Sequence, residues 1–80
     1  MQVTVTRDDH FMFEPFDGSE SVDIGTMYLA TDEYGNTETG TTPSLAVYML
    51  IRCHVDYGTY VYAEYNGRVV CRGVHSEPGC

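Results

Sequence analysis

The chain predicts a small, mainly β single domain, an antiparallel sheet or meander of about five to six strands arranged like a barrel or sandwich. Three observations predict it. Val, Thr and Tyr are abundant and are interrupted at short intervals by Gly, Asn and Asp, the composition of strands joined by tight turns. Asn66-Gly67 stands between two β-rich runs, and a type I′ hairpin turn needs positive φ at both central positions, which Asn and Gly supply. From Ser44 to Asp56 the sequence alternates, with Leu45, Val47, Met49, Ile51, Cys53 and Val55 on one parity, the pattern of a strand with one buried face. The alternative is an α+β domain in which one helix near 43–54 packs on the sheet. Thr42 offers an N-cap, Pro43 a first helical residue, and Leu, Ala and Met favour helix.

The elements follow in order. Val3, Val5 and Arg7 alternate with Thr4 and Thr6 as an opening strand. Phe11 and Phe13 alternate with His10, Met12 and Glu14 until Pro15, which has no amide hydrogen to donate, ends the pairing. Asp17 to Ser21 has loop composition, and Val22 to Thr31 reads as a strand. Asp32 to Asn36 has turn chemistry, and Thr37-Glu38-Thr39 returns as a short strand. Gly40 to Pro43 is a link. Asp56-Tyr57-Gly58 turns the chain into Thr59–Tyr65, and Arg68–Val74 closes the hairpin. A two-residue turn places Tyr65 opposite Arg68, Ala63 opposite Val70, Tyr62 opposite Cys71 and Val61 opposite Arg72. The single domain, 1–80, thus divides into an acidic half (1–43), a three-stranded meander (44–75) and a tail (76–80). A domain of 80 residues buries only about 60–65% of its unfolded surface and has little room for a deep cleft.

All of the net charge lies in the first half. Residues 1–40 hold nine carboxylates and one cation, residues 41–80 hold three of each, and the total is −8. Such a field attracts a basic partner and repels nucleic acid before contact. All four cations are arginines. Codon usage explains this as readily as a preference for the bidentate pairing that guanidinium makes with carboxylates.

The first six residues lack the basic and apolar regions of a signal peptide. The longest apolar run, Leu45 to Ile51, falls far short of the roughly 18 residues that span a bilayer. Cys53, Cys71 and Cys80 are an odd set, expected as free thiols in a reducing cytosol. These features together predict a cytoplasmic protein with no membrane contact.

The motifs exclude more than they identify. His10, Cys53, His54, Cys71, His75 and Cys80 are ligand types, and Cys71-x3-His75 has usable spacing, but no C-x2-C knuckle is present. In the strand reading Cys53 and Cys71 point to opposite faces and do not converge. Adjacent Cys53 and His54 cannot act as nucleophile and base within a strand, and Ser19 and Ser21 lack a G-x-S-x-G context. The doublets Asp8-Asp9 and Asp32-Glu33 do not fit a calcium loop. No enzyme activity, metal or cofactor is therefore expected. Tyr48, Tyr60, Tyr62 and Arg52 share the exposed parity of the meander and suggest a stacking platform for nucleic acid. The acidic field opposes that, and no direct nucleic-acid binding is expected.

In size, acidity and lack of a catalytic set, the chain resembles the small inhibitors that phages encode against bacterial defences, notably anti-CRISPR proteins. These share no single fold or motif, so no residue carries over. The resemblance implies a protein, in the cytoplasm of a bacterial host, that binds a large nucleoprotein effector and blocks its DNA access or its nuclease. Immunity proteins and antitoxins use the same physics.

The leading expectation is a non-enzymatic inhibitor, a monomer or homodimer, whose acidic face mimics DNA or sterically blocks a basic nucleoprotein complex. Its candidate contact residues are Asp8, Asp9, Glu14, Asp17, Glu20, Asp23, Asp32, Glu33 and Glu38, with Tyr34 as an aromatic anchor. The second expectation is a small self-associating phage virion or assembly component.

Overall fold

The computed structural model describes residues 1–76. Its elements are β1 (Gln2–Asp8), β2 (Met12–Phe13), β3 (Val22–Asp23), β4 (Met27–Asp32), β5 (Thr37–Gly40), α1 (Pro43–His54), β6 (Tyr60–Tyr65) and β7 (Arg68–Val74). Five strands form one sheet in the order β5-β4-β1-β6-β7, and β2 and β3 form a separate two-stranded ribbon. The protein is mainly β, as its composition predicts, and carries the single helix of the α+β alternative. The sheet stays open, with α1 on one face, instead of closing into a barrel or folding into a sandwich.

The stretch 44–54 is helix, which corrects the strand reading and the three-stranded meander built on it. The even parity of this run also holds Ala46, Tyr48 and Leu50, so alternation by itself does not separate the two structures. The ends are specific. Thr42 has extended backbone and its Oγ1 accepts from the Leu45 amide at 3.1 Å, with Pro43 following at the first helical position. Arg52 and His54 lie in the last turn, where cations suit the helix dipole. A period of 3.6 brings Ala46, Val47 and Leu50 to one side, and all three are buried.

That side covers the apolar sheet face. Val3 and Val5 of β1, Ala30 of β4, and Val61 and Ala63 of β6 form the core with Ala46, Val47, Leu50 and Val55. The opposite face carries Thr4, Thr6, Thr31 and Thr37, exposed or half-buried, as suits a pleat facing water.

β1 sits at the centre of the sheet. It pairs antiparallel with β4 (Val5 opposite Ala30) and parallel with β6 (Val3 beside Ala63). The parallel pair makes the sheet mixed, where a purely antiparallel one was expected. The expected strand 22–31 is two strands, broken at Gly25, whose φ is +88°.

The β6–β7 hairpin turns at Asn66-Gly67, with φ of +53° and +77° as a type I′ turn requires. Tyr65 opposes Arg68 and Glu64 opposes Val69, and then a bulge adds one residue to β7. Beyond it Ala63 faces Cys71, Tyr62 faces Arg72 and Val61 faces Gly73, one residue off the expected register. The bulge moves Cys71 to the helix-covered side.

Candidate functional site

The sequence between β1 and β4 forms an arm. The Asp8 carboxylate accepts from the His10 amide at 3.0 Å and turns the chain out of β1. Met12 then pairs with Asp23 and Phe13 with Val22. Further bonds from Phe11 N to Gly25 O (2.9 Å) and Ile24 N to Phe11 O (3.0 Å) extend the ribbon. At its tip Asp17 Oδ1 accepts from the Ser19 amide at 2.9 Å and the Ser19 hydroxyl at 2.5 Å, closing a turn through Gly18 at φ +82°. β2 and β3 make their substantial contacts with each other, not with the main sheet.

Glu14, Asp17, Glu20 and Asp23 are exposed along this arm, and Asp8 and Asp9 stand at its root. Hydrogen bonds keep several ionised. The Ser19 hydroxyl and amide hold the Asp17 carboxyl below its ordinary value, and the Gly25 amide and His10 do the same for Asp23. At the root Arg7 Nε lies 2.6 Å from Asp9 Oδ1 and lowers the Asp9 carboxyl. His10 Nδ1 lies 3.0 Å from Asp23 Oδ2 and braces the two strands.

The arm is also apolar, a feature the charge pattern does not disclose. Met12, Phe13, Val22 and Ile24 are each about half exposed and Phe16 is fully so. Sequence alone gives no signal of this, and only the structure shows that these side chains sit on a ribbon of two-residue strands, too short to build a core. An exposed apolar cluster edged by charge is the usual mark of a contact surface.

The remaining acidic candidates lie at the far end of β4. Glu33 and Tyr34 are exposed in the turn between β4 and β5, Tyr34 at 75%. Asp32 and Glu38 are engaged within the fold. Asp32 is only 6% exposed, which corrects its placement among the contact residues of the acidic face. Its Oδ1 accepts from the amides of Tyr34 (2.8 Å) and Asn36 (2.9 Å), and its Oδ2 from Asn36 Nδ2 (2.9 Å). Glu38, half-buried, meets His54 Nε2 at 2.8 Å and ties β5 to the end of α1. The structure thus gathers Asp8, Asp9, Glu14, Asp17, Glu20 and Asp23 at one end and leaves Glu33 and Tyr34 at the other.

Burial raises the Asp32 carboxyl, but the bonds from Asn36 and Tyr34 outweigh it and hold the group below its ordinary value. A lowered folded-state value contributes stability above the unfolded value of about 3.9, lost as pH falls through the folded one. Asp32→Ala, which strips three bonds from the turn, is expected to cost about 2 kcal/mol at neutral pH. Urea denaturation checks this: the gap from the parent protein should narrow below about pH 4, and a constant gap would refute it.

The tyrosine platform does not assemble. Tyr60 and Tyr62 lie on the sheet face away from the helix, opposite in pleat to Val61 and Ala63, whereas Tyr48 and Arg52 are on α1. Cys53 is an exposed free thiol and Cys71 a half-buried one, while Cys80 lies outside the described residues. Among the described residues no three His, Cys, Asp or Glu side chains are grouped to hold a metal ion. No helix among them is long and apolar enough to cross a membrane. Compared with known protein families, characterised proteins and solved structures, the chain matches none.

Proposed function

We propose that this chain is a non-enzymatic binding protein, an inhibitor whose acidic arm engages a basic, nucleic-acid-handling protein or nucleoprotein complex. The observation that supports this reading is the gathering of carboxylates and exposed apolar side chains on one ribbon that the core does not need. The carboxylates steer the arm to an Arg/Lys-lined channel and speed encounter. Phe13 and Phe16 then supply the desolvated contact that exposed ion pairs do not, since each such pair is worth only about 0–1 kcal/mol. Occupation of the channel denies it to DNA, as mimicry or as a steric block. In this reading Glu33 and Tyr34 form at most a second contact, and Asp32 and Glu38 act by holding the turn and the helix end.

The test is capture from bacterial lysate with tagged protein, washed at low and high salt. A basic nucleic-acid-handling complex should be retained at low salt and released at high salt. Reversing Asp17 and Glu20 to Lys should weaken capture at least tenfold, far more than Glu33→Lys. Equal effects of the two changes would remove the arm from the contact, and salt-independent capture would remove the electrostatic mechanism.

A further inference from the structure

The arm has two unlike faces. Directly opposed residues of an antiparallel pair put their side chains on the same face, and neighbours along a strand alternate. Phe13 opposes Val22, and Met12 opposes Asp23. The bond from Ile24 N to Phe11 O carries the pairing one step toward the root. One face therefore holds Phe11, Phe13, Val22 and Ile24. The other holds His10, Met12 and Asp23, and the 3.0 Å contact of His10 Nδ1 with Asp23 Oδ2 fits that assignment. Phe13 (47%) and Met12 (51%) are almost equally exposed, so the pleat, and not exposure, separates them.

The two faces differ in what docking does to them. Covering the His10 face takes an ion pair out of water, a desolvation cost with little return. Covering the Phe13 face removes apolar surface, a gain of about 25 cal/mol for each Å². Its four side chains stand on a patch about 5 Å wide, one strand spacing, and about 7 Å long, two residues of a strand. A second sheet overhangs so narrow a patch on both sides. One helix suits it, since side chains three and four residues apart on a helix lie about 5–6 Å from each other. The chain covers its other apolar sheet face in the same way, with Ala46, Val47 and Leu50 of α1.

Charge selects what flanks the apolar stripe of that helix. From Asp9 to Thr26 the chain has five carboxylates, and no Lys or Arg lies between Arg7 and Arg52. Arg7 and His10, at the root, are held by Asp9 and Asp23. Two arms of this protein therefore repel each other, and an anionic lipid surface repels either. We propose that the Phe11, Phe13, Val22 and Ile24 face of the arm docks on a helix of the partner protein that carries one apolar stripe flanked by Arg and Lys, while the His10–Asp23 face stays in water. This rests on the reading of the arm as the contact. It adds that the partner's basic surface is amphipathic at the point of contact, where a purely charged channel leaves the Phe13 face unmatched.

The probe is a synthetic peptide of about 18 residues, long enough to form a helix, built of Leu and Lys alone with Leu at helical spacing. The control peptide has the same composition in scrambled order. Titrated into isotope-labelled protein and followed by NMR, the striped peptide should shift the amides of residues 10–25 and bind at least tenfold tighter than the scrambled one. Phe13→Thr with Val22→Thr keeps strand-favouring side chains but removes the apolar face, and should weaken binding at least tenfold. Met12→Thr, on the other face, should weaken it less than twofold. Amide spectra unchanged outside the arm show that each variant keeps the fold. Equal losses from the two faces, equal binding of the two peptides, or shifts centred outside the arm would overturn the proposal. Arm shifts produced as strongly by phosphatidylcholine vesicles would replace the helix with a bilayer, and arm shifts that grow with protein concentration alone would replace it with a second copy. A basic complex captured from lysate through the arm, with no preference for the striped peptide, would end this inference and leave the proposed function standing. The striped peptide held on the Phe13 face, with no such complex captured, would do the reverse.

Discussion

Gly40→Ala is expected to destabilise the domain by about 3 kcal/mol, the upper range for forcing extra volume into a packed interior. Gly40 ends β5 directly beneath the first turn of α1. A Cβ built there overlaps the Ala46 amide nitrogen and falls 2.8 Å from the Leu45 carbonyl carbon and 2.9 Å from Ala46 Cα. These are backbone atoms, so no rotamer change relieves the overlap and no smaller side chain on α1 rescues it. The helix must lift, and with it Ala46, Val47 and Leu50 lose contact with Val3 and Ala30. A domain of this size has only about 4–12 kcal/mol of stability in total. Urea denaturation should show a markedly lower midpoint, and an unchanged midpoint would mean that β5 and α1 are not packed this closely.

Leu50→Ala is expected to cost about 3–4 kcal/mol, because it removes a buried side chain from a core with little capacity to collapse around the space. Leu50 is 0% exposed and is among the largest fully buried side chains of the domain. Leu45, one turn and a residue earlier, is 41% exposed, and Leu45→Ala should cost less than about 1 kcal/mol. This pair also discriminates between the two readings of 44–54. A strand burying the odd parity would place Leu45 inside and Leu50 outside, so the order of the two losses would reverse. Thermal or urea melts of the two variants measure it directly.

Much of the fold was legible because its signals are local. The Asn66-Gly67 turn, the Thr42-Pro43 start and the alternation of Val3 and Val5 each act within a few residues. So does the Asp32–Asn36 turn. The acidic bias of the first half was equally plain. The apolar side of the arm was not, because Met12, Phe13 and Phe16 look the same in sequence whether they fill a core or project from it.

Local signals set the turns, most of the strands and the polarity of charge along the chain. Tertiary structure decided the rest. Residues 43–54 carry apolar side chains on both parities, and beyond the Thr42-Pro43 start what favours a helix there is an apolar sheet face that needs a cover. The parallel pairing of β1 with β6 joins residues about sixty positions apart, which no local preference specifies. One bulged residue in β7 set which face Cys71 joins. The carboxylates likewise divided by packing: Asp9, Glu14, Asp17, Glu20 and Asp23 stayed exposed on the arm and at its root, while Asp32 was buried and Glu38 half-buried against the backbone and the histidine their strands brought within reach. A charge is written in sequence, but whether it faces water or is buried against its own backbone depends on how the strands around it pack.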